Sequence, residues 1–404
     1  MSGLRSLACA ALWLAAEAVG GAASDDATRI AVPAAGAGPF AVQTVERVTL
    51  HDAARGKDLH VFVSYPKGAG PFPVIVFSHG AMGSGDNGFP IVRHWTSHGY
   101  IILCPTHADS IKLRREQGQA AGGAETISRI RDSGRGRSGW DDNWTQRPRD
   151  VSFVLDSLDE IERRVPDLRG RLDRNRIGVG GHSLGAYTAQ VAAGASVLIP
   201  GRDGPQSFAD PRIKAVLQLS GQGTGQQGLH KGSWKDIRIP MMCVTGSLDR
   251  AAQGQDPLWR REPYEYAPPG DKYFVFIQGA HHGSFTGKMA EGDGGPGGKG
   301  LAGWLENPSP EMRRRLEQRL GRKLSDDEIR RIGQRIIKGS EEHGTTAPIA
   351  SGPYAEQTAI FGWVKQATTA FWEASLKGNA AAKAWLQSDA LGKSSNGAAR
   401  LDAK

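Results

Sequence analysis

The feature that most constrains the fold is a serine between two glycines, at a point where a strand pattern changes to a helix pattern. Residues 176–180 form a short apolar run that predicts a strand, and residues 184–193 are typical of a helix. Between them lies Gly181-His182-Ser183-Leu184-Gly185. Such a tight strand-to-helix turn lifts the serine hydroxyl above the sheet, and the flanking glycines avoid steric clashes. The motif predicts Ser183 as a nucleophile, and a glycine-rich turn without a catalytic role is the alternative.

Short apolar runs of this kind recur along the chain and alternate with helical patterns. Continuous apolar runs suit parallel strands that are buried on both faces. Strands are predicted at residues 42–50, 59–65, 74–77, 100–103, 176–180, 213–219, 241–245 and 273–277. Apolar spacings of three and four predict an amphipathic helix over 148–164, and helices are also predicted over 353–377 and 379–387. The alternation predicts an α/β fold with a mostly parallel central sheet and helices on both faces.

A serine hydroxyl is a weak nucleophile at neutral pH, so it needs a base and an acid that orients the base. The expected chain order is serine, acid, histidine. Asp249 follows the predicted strand at 241–245, and His281 and His282 follow the strand at 273–277. Adjacent histidines cannot both face one serine, so one is the base and the other is structural or substrate-facing. For Asp249, a helix cap or turn former is the alternative.

Acyl transfer also requires two backbone N–H groups that bind the developing oxyanion. Leu184, the residue after the nucleophile, supplies the first. The loop after the strand at 74–77 supplies the second, with Ala81 as the predicted donor. His79 in this loop precedes the serine in the chain, and we interpret it as a loop-shaping histidine rather than a second base.

These motifs resemble those of a known group of proteins. The chain is similar to the predicted dienelactone-hydrolase and platelet-activating-factor acetylhydrolase group of α/β-hydrolases, which is also similar to bacterial cutinases and polyester hydrolases. The resemblance covers roughly residues 40–285 and 353–388 and is carried by Val74 to Gly83, Gly181 to Gly185, Asp249, Gly279 to Phe285 and Ala370 to Gly378. It implies an α/β-hydrolase fold and ester cleavage through an acyl-enzyme.

The resemblance also bears on the base and the acid. In the family a glycine-alanine pair stands two residues before the catalytic histidine, which selects His282 and leaves His281 as the second candidate. Acetylhydrolase-like members place their acid after the sixth strand, where this chain has Ser220. Asp249 matches the polyester-hydrolase pattern instead.

Residues 286–350 do not fit the alternating pattern. They begin with a glycine-rich stretch and continue into a basic region with helical signals, including a capping box at Ser325-Asp326-Asp327-Glu328. We predict a helical insertion after the catalytic histidine, within a hydrolase domain of residues 41–390. Two interpretations fit this insertion, a lid over the site or a solvated decoration. Residues 391–404 are predicted to be a flexible tail.

The N-terminal residues have the layout of a secretory signal peptide over residues 1–23. Arg5 precedes an apolar run from Leu7, and small residues follow around Gly21. An ordinary N-terminal helix is the alternative, which Glu17 within the run supports. We expect the protein to be exported to the periplasm or the extracellular space, with a linker at residues 24–40. No later stretch approaches the ~18 apolar residues of a membrane span.

Composition limits the classes of partner and cofactor that we expect for this protein. The formal net charge is +8, but the excess is not gathered into a patch interleaved with aromatic residues, so no nucleic-acid partner is expected. Beyond the leader only Cys104 and Cys243 remain, and each lies in a strand-like run that predicts a buried free thiol, with a disulfide as the alternative. No cluster near the histidine pair has metal-ligand spacing, so neither a metal nor another cofactor is expected.

Together these features predict a serine hydrolase that acts on a carboxylic ester of a small molecule, a lipid or a polymer. Cleavage of amides or peptides by the same residues is the nearest alternative. A hydrolase fold that binds without catalysis is a more distant one, because such proteins usually lose a member of the catalytic set and none is missing here.

Overall fold

A computed structural model provides the arrangement of the chain. It describes residues 35–118, 143–251, 254–290 and 354–404, and between the last two ranges only residues 317, 323–325, 327, 328 and 331. The predicted signal peptide, most of the predicted linker and most of the predicted insertion lie outside the described residues.

Within the described residues, the main sheet has nine strands. In chain order they are β1 (Val42–Asp52), β2 (Lys57–Pro66), β3 (Phe72–Ser78), β4 (Ile101–Thr106), β5 (Leu172–His182), β8 (Ile213–Leu219), β9 (Met241–Gly246), β10 (Lys272–Ile277) and β11 (Ala399–Ala403). The short strands β6 (Val197–Leu198) and β7 (Pro205–Gln206) pair with each other in a separate ribbon. The order across the main sheet is β1-β2-β4-β3-β5-β8-β9-β10-β11.

The six central strands, from β4 to β10 in this order, are parallel. At one edge β2 pairs antiparallel with both β1 and β4, and at the other edge β11 pairs antiparallel with β10. The central strands are almost fully buried, as expected for a parallel sheet that is covered on both faces. The predicted mostly parallel sheet is confirmed.

Helices cover this sheet in two groups. They are α1 (Pro90–Ser97), α2 (Ile111–Glu116), α3 (Asn143–Asp156), α4 (Leu158–Arg164), α5 (Leu184–Ala192), α6 (Glu262–Tyr266), α7 (Tyr354–Lys377), α8 (Ala380–Leu386) and α9 (Ala390–Ser394). The long helix α7 contacts α1, β5 and β8, whereas α3 contacts α5 and β4. The single helix predicted over 148–164 is divided into α3 and α4 at Ser157.

Close packing fixes α7 against the strand that leads to Ser183. A Cβ atom on Gly178 in β5 would lie 2.6 Å from the ring of Trp372, so only glycine allows this approach. Trp372 in turn packs edge-on against Trp95 of α1, with ring centroids 5.9 Å apart. The indole N–H of Trp95 donates to Thr368 Oγ1 at 3.0 Å. These contacts hold α1, α7 and β5 as one unit.

The prediction of a flexible tail at residues 391–404 is wrong. These residues continue α9 and then form β11, which pairs with β10 in a register that sets Tyr273 opposite Ala403 and Ile277 opposite Ala399. The sequence of β11 alternates apolar and charged residues over only five positions, and its place in the sheet depends on backbone hydrogen bonds along β10. An ion pair between Arg261 and Asp402 adds to this attachment.

One prediction within the insertion can be compared with the structure. Ser325 N–H donates to the Glu328 carboxylate at 2.9 Å, and Glu328 N–H is 3.3 Å from Ser325 Oγ. These are the two reciprocal bonds of a capping box, which is therefore confirmed.

The topology gathers the predicted site residues at one edge of the sheet. Residue 79 follows β3, Ser183 follows β5, Ser220 follows β8, Asp249 lies three residues after β9, and His282 lies five residues after β10. The carboxyl ends of parallel strands meet at one edge, where open α/β sheets bind their ligands.

Candidate active site

Three side chains that the sequence predicts as a set meet at this edge. His282 Nε2 lies 2.9 Å from Ser183 Oγ, and His282 Nδ1 lies 3.1 Å from Asp249 Oδ1. His281 lies outside this set, since its Nδ1 accepts a hydrogen bond from the backbone N–H of Gly283 at 3.2 Å. Of the two adjacent histidines, His282 is therefore the one that bridges the serine and the aspartate.

The turn at Ser183 is strained and tightly packed. Ser183 has φ 57° and ψ −123°, a conformation that residues with a side chain seldom adopt. A Cβ atom on Gly181 would lie 2.2 Å from Gly185 O, and one on Gly185 would lie 1.9 Å from Ser78 O. The N–H of Ser183 donates to Leu219 O at 3.0 Å. The neighbouring strands β3 and β8 thus hold the turn in the geometry of a nucleophile elbow, and Ser183 stays partly exposed.

Asp249 is fully buried and shares its carboxylate among several groups. Thr245 Oγ1 donates to Oδ2 at 2.9 Å, and Arg260 Nε lies 3.1 Å from the same oxygen. Ser220 Oγ donates to Oδ1 at 2.9 Å. Burial alone would raise the pKa of this carboxyl, but the charge of Arg260 and the hydrogen bonds from His282 and Ser220 outweigh it and lower the pKa to about 2. Asp249 is therefore ionised at neutral pH.

Ser220 lies between the base and the acid. Its Oγ is 2.7 Å from His282 Nδ1 and 2.9 Å from Asp249 Oδ1, so it accepts from the imidazole and donates to the carboxylate. Its φ of 56° marks a second strained position at the end of a strand. In the sequence Ser220 stands out only as the place where an acid is missing, and its role as a bridge depends on a contact across 62 residues.

Arg260 completes the surroundings of the acid and has no signal in the sequence. It lies in the 3₁₀ turn Pro257–Arg261 and is 4% exposed. Its Nη1 donates to the backbone oxygens of Ser220 and Gly221, both at 2.9 Å, and its Nε donates to Asp249 O at 3.1 Å. One buried cation therefore holds the carboxylate and the backbone at the ends of β8 and β9.

His182, which precedes the serine, supports the loop of the base. Its Nε2 donates to His282 O at 2.7 Å, and the two imidazole rings have centroids 4.8 Å apart. Burial, and then the neighbouring His282, lower the pKa of His182 to about 3. His182 is thus a neutral donor to the backbone of His282.

The loop that carries one of the predicted oxyanion donors lies beside the serine. We call residues 79–83 the oxyanion loop. A Cβ atom on Gly80 would lie 3.4 Å from Ser183 Cβ, so the loop packs directly against the nucleophile turn. Among the described residues, the N–H groups of Ala81 and Leu184 have no hydrogen-bond acceptor. Both are therefore available to a ligand oxygen.

The described part of the chain also bears on the expectations for metal ligands and cysteines. There, no group of three or more His, Cys, Asp or Glu side chains is placed to hold a metal ion. Cys104 and Cys243 are free and buried, and burial raises the pKa of the Cys243 thiol to about 12. These thiols are therefore protonated and act as core side chains, in agreement with the prediction of free thiols.

Comparison with known proteins agrees with the fold. A family model described as Chlorophyllase matches residues 31–125, which include β1 to β4 and the oxyanion loop. No curated protein matches the sequence. The chain has the α/β-hydrolase fold.

The match to the family model indicates an ester hydrolase of the α/β-hydrolase type. It ends before Ser183, Asp249 and His282. None of the helices in the described ranges is long and apolar enough to span a membrane.

Proposed function

We propose that this α/β-hydrolase is a serine esterase that cleaves carboxylic esters through an acyl-enzyme, with Ser183 as the nucleophile. The observation that carries the proposal is the continuous hydrogen-bonded chain from Ser183 Oγ through His282 to Asp249, with distances of 2.9 and 3.1 Å. This is the geometry that general-base activation of a serine requires.

The roles follow from the protonation states. Asp249 is ionised, so the imidazole of His282 keeps its proton on Nδ1, where the carboxylate and Ser220 Oγ accept it. Nε2 is then unprotonated and accepts the proton of Ser183 as Oγ attacks the ester carbonyl carbon. The resulting imidazolium is stabilised by Asp249 and donates its proton to the leaving alkoxide.

The charge that develops on the carbonyl oxygen needs donors that are already in place. We assign this role to the N–H groups of Ala81, in the loop that packs against Ser183, and of Leu184, the residue after it. Both N–H groups lack acceptors among the described residues. Water, activated by the same His282 Nε2, then attacks the acyl-enzyme and releases the acid.

The finer grouping of the substrate is also a proposal. The motif residues resemble those of the dienelactone-hydrolase and acetylhydrolase group and of polyester hydrolases, which supports an ester of a small molecule, a lipid or a polymer. The match to a family described as Chlorophyllase supports ester chemistry in general. We also propose export, on the pattern of residues 1–23. N-terminal sequencing of protein secreted by a bacterial host tests it, and a retained Met1 would contradict cleavage.

The first test removes the nucleophile. Ser183→Ala should lower kcat for a short p-nitrophenyl ester by at least about 10⁴-fold, because Ser183 Oγ is the group that attacks the ester and forms the acyl-enzyme. Ser64→Ala is the matched control, because Ser64 is buried and its hydroxyl, within the described part of the chain, bonds to Thr96 in α1 and not to the site. If Ser183→Ala kept the activity of Ser64→Ala, the proposed function would be rejected.

A second test separates the ester from the amide. An ester and an amide with the same acyl group should differ in kcat/KM in favour of the ester, and the opposite order would indicate an amidase. A fluorophosphonate should label the wild-type protein at Ser183, because the probe requires an activated serine. A folded protein that does not react would point to a binding role.

A further inference from the structure

A buried network holds the oxyanion loop from outside the set of proposed catalytic residues. Arg147 of α3 donates from Nη1 to His79 O at 2.7 Å and from Nη2 to Gly80 O at 3.2 Å. The N–H of Met82 donates to Asp109 Oδ2 at 2.9 Å. The two carbonyls before Ala81 and the N–H after it are therefore all fixed by charged side chains.

Arg147 and Asp109 form one unit. Nε and Nη2 of Arg147 lie 3.0 and 2.8 Å from Asp109 Oδ1, and Nη2 also lies 2.8 Å from Oδ2. The Arg147 side chain is 1% exposed. Burial opposes the ionisation of Asp109, but the charge of Arg147 outweighs it and holds the pKa of this carboxyl well below its usual range. This ion pair, in which the Asp109 side chain is 16% exposed, thus remains charged at neutral pH.

His79, which we interpret from the sequence as a loop-shaping histidine, belongs to this network. Its Nε2 accepts from the backbone N–H of His107 at 3.0 Å, so its proton is on Nδ1 and is donated to Gly80 O at 2.6 Å. Burial, and then Arg147, hold the pKa of His79 well below its usual range. Three donors therefore converge on the carbonyls of residues 79 and 80.

Behind the loop lies a second chain of a serine, a histidine and an aspartate. Ser78 Oγ donates to His107 Nε2 at 2.8 Å, and His107 Nδ1 donates to Asp150 Oδ2 at 2.9 Å. All three residues are at most 1% exposed, so no substrate reaches them. These three hydrogen-bonded residues support the start of the oxyanion loop and are not positioned to act on a substrate.

We propose that Arg147, paired with Asp109, is a positioning residue that orients the oxyanion loop so that Ala81 N–H faces the reacting carbonyl oxygen. The inference rests on the proposed function and extends it to a residue that contacts neither the substrate nor Ser183. An unclamped loop would still allow the substrate to bind but would misplace a donor that acts in the transition state. Its loss should therefore lower kcat with little change in KM.

The geometry requires a guanidinium. Arg147 reaches both carboxylate oxygens and two carbonyl oxygens at once, which needs a planar fork with several donors. A lysine ammonium has three donors on one atom and cannot span these positions. Arg147→Lys should therefore behave like Arg147→Met and fail to rescue activity.

The control is a second bidentate arginine–aspartate pair, which lies before β8 and contacts the same helix. Arg212 bonds both oxygens of Asp210 at 2.9 and 2.6 Å and donates to Ser152 O of α3 at 3.2 Å, but it has no contact with the oxyanion loop. Arg212→Met therefore removes another arginine anchor of α3, at a side chain that is 37% exposed, and leaves the loop in place. Asp109→Asn, which keeps the shape of the side chain, weakens the Arg147–Asp109 pair more mildly.

The experiment measures three quantities for each variant: kinetics, inhibitor affinity and deuterium exchange. Arg147→Met should lower kcat by about 10- to 100-fold, because loss of a whole oxyanion donor costs about 10²–10³-fold. Affinity for a trifluoromethyl ketone, whose hemiketal mimics the oxyanion, should fall by the same factor, and amides in residues 79–84 should exchange faster. Arg212→Met should change none of these by more than about threefold.

The possible outcomes separate the two proposals. If Arg147→Met keeps the wild-type kcat and the wild-type protection of residues 79–84 from deuterium exchange, the proposed positioning role is overturned. If both arginine variants lower kcat alike, in step with their melting temperatures, Arg147 contributes only to stability and the positioning role fails. If the wild type hydrolyses no ester, the proposed function fails. The deuterium exchange of residues 79–84 in Arg147→Met still shows whether Arg147 holds the oxyanion loop.

Discussion

At the scale of single residues, the acid of the proposed site is held by four groups from four segments. The Asp249 carboxylate accepts hydrogen bonds from Ser220 after β8, from Thr245 in β9 and from His282 after β10, and it forms an ion pair with Arg260 in the 3₁₀ turn. Ser220, Thr245 and Arg260 orient the carboxylate, and of these three only Ser220 also contacts His282. Ser220 is thus the residue that couples the position of the acid to that of His282.

This coupling can be measured with two matched substitutions. Ser220→Ala and Thr245→Val each remove one hydroxyl that donates to Asp249 at 2.9 Å, but only Ser220 also lies 2.7 Å from His282 Nδ1. A hydrogen bond to a charged group contributes about 1.5–3 kcal/mol, so Ser220→Ala should lower kcat by roughly 10-fold or more, and Thr245→Val by clearly less. Ester kinetics alongside thermal unfolding would check this, and equal losses would show that the contact with His282 has no effect.

The sequence reaches some of these residues and not others, for a physical reason. Ser183, Asp249 and His282 each follow a predicted strand, and the chemistry requires their residue types in a known order. Arg147 and Arg260 are recognisable only from contacts that cross 68 residues to the loop and 40 residues to Ser220. Arginine is common on protein surfaces, so nothing local marks either one as buried.

At the scale of elements, the central strands can be predicted from the sequence, whereas the edge strand β11 cannot. The central strands are continuous apolar runs, because both faces of a parallel strand are covered, and the sequence predicts all of them. The edge strand β11 has the sequence Ala399-Arg400-Leu401-Asp402-Ala403, in which charged residues alternate with apolar ones over only five positions. Its pairing with β10 uses backbone groups that every residue carries, so its sequence does not distinguish it from a tail.

The contribution of β11 can be tested by truncation. Removal of residues 399–404 would leave the backbone groups of β10 without their antiparallel partner and should destabilise the fold by roughly 2 kcal/mol or more, since each backbone hydrogen bond contributes about 0.5–1.5 kcal/mol. Arg400→Ala is the control, because its side chain is 60% exposed and the ladder remains. Thermal unfolding should show a lower melting temperature for the truncation alone. A truncated protein as stable as the control would mean that β11 is dispensable.

At the scale of the whole molecule, two buried carboxylates join distant parts of the fold. Asp249 links the ends of β8, β9 and β10, as described above. Asp150 of α3 bonds Arg55 and Lys57 near the start of β2, both at 2.6 Å, and His107 after β4 at 2.9 Å. Burial opposes the ionisation of Asp150, but His107 and Lys57 outweigh it and lower its pKa to about 2.

These shifts predict how stability depends on pH. A carboxyl group with a pKa of about 2 in the folded state and 3.8 in its ordinary state stabilises the fold above pH 4. Because protonation then favours the unfolded chain, this stabilisation is lost as the pH falls from about 4 to about 2. The difference of nearly two pKa units corresponds to about 2 kcal/mol for each group. Protonation of these two groups should therefore lower the free energy of unfolding by roughly 4 kcal/mol across this range, and Asp109, whose pKa is also lowered, adds to the loss.

Urea unfolding at several pH values between 5 and 2.5 measures this loss, and a single substitution assigns part of it. Asp150→Asn should be less stable than the wild type at pH 5, because Arg55, Lys57 and His107 lose their anionic partner. Its stability should then decrease less steeply with acid, since one of the carboxylates with a lowered pKa is gone. Asp389→Asn, at a side chain that is 71% exposed, should keep the wild-type slope. Parallel slopes for wild type and Asp150→Asn would show that this buried carboxylate does not contribute to the acid sensitivity of the fold.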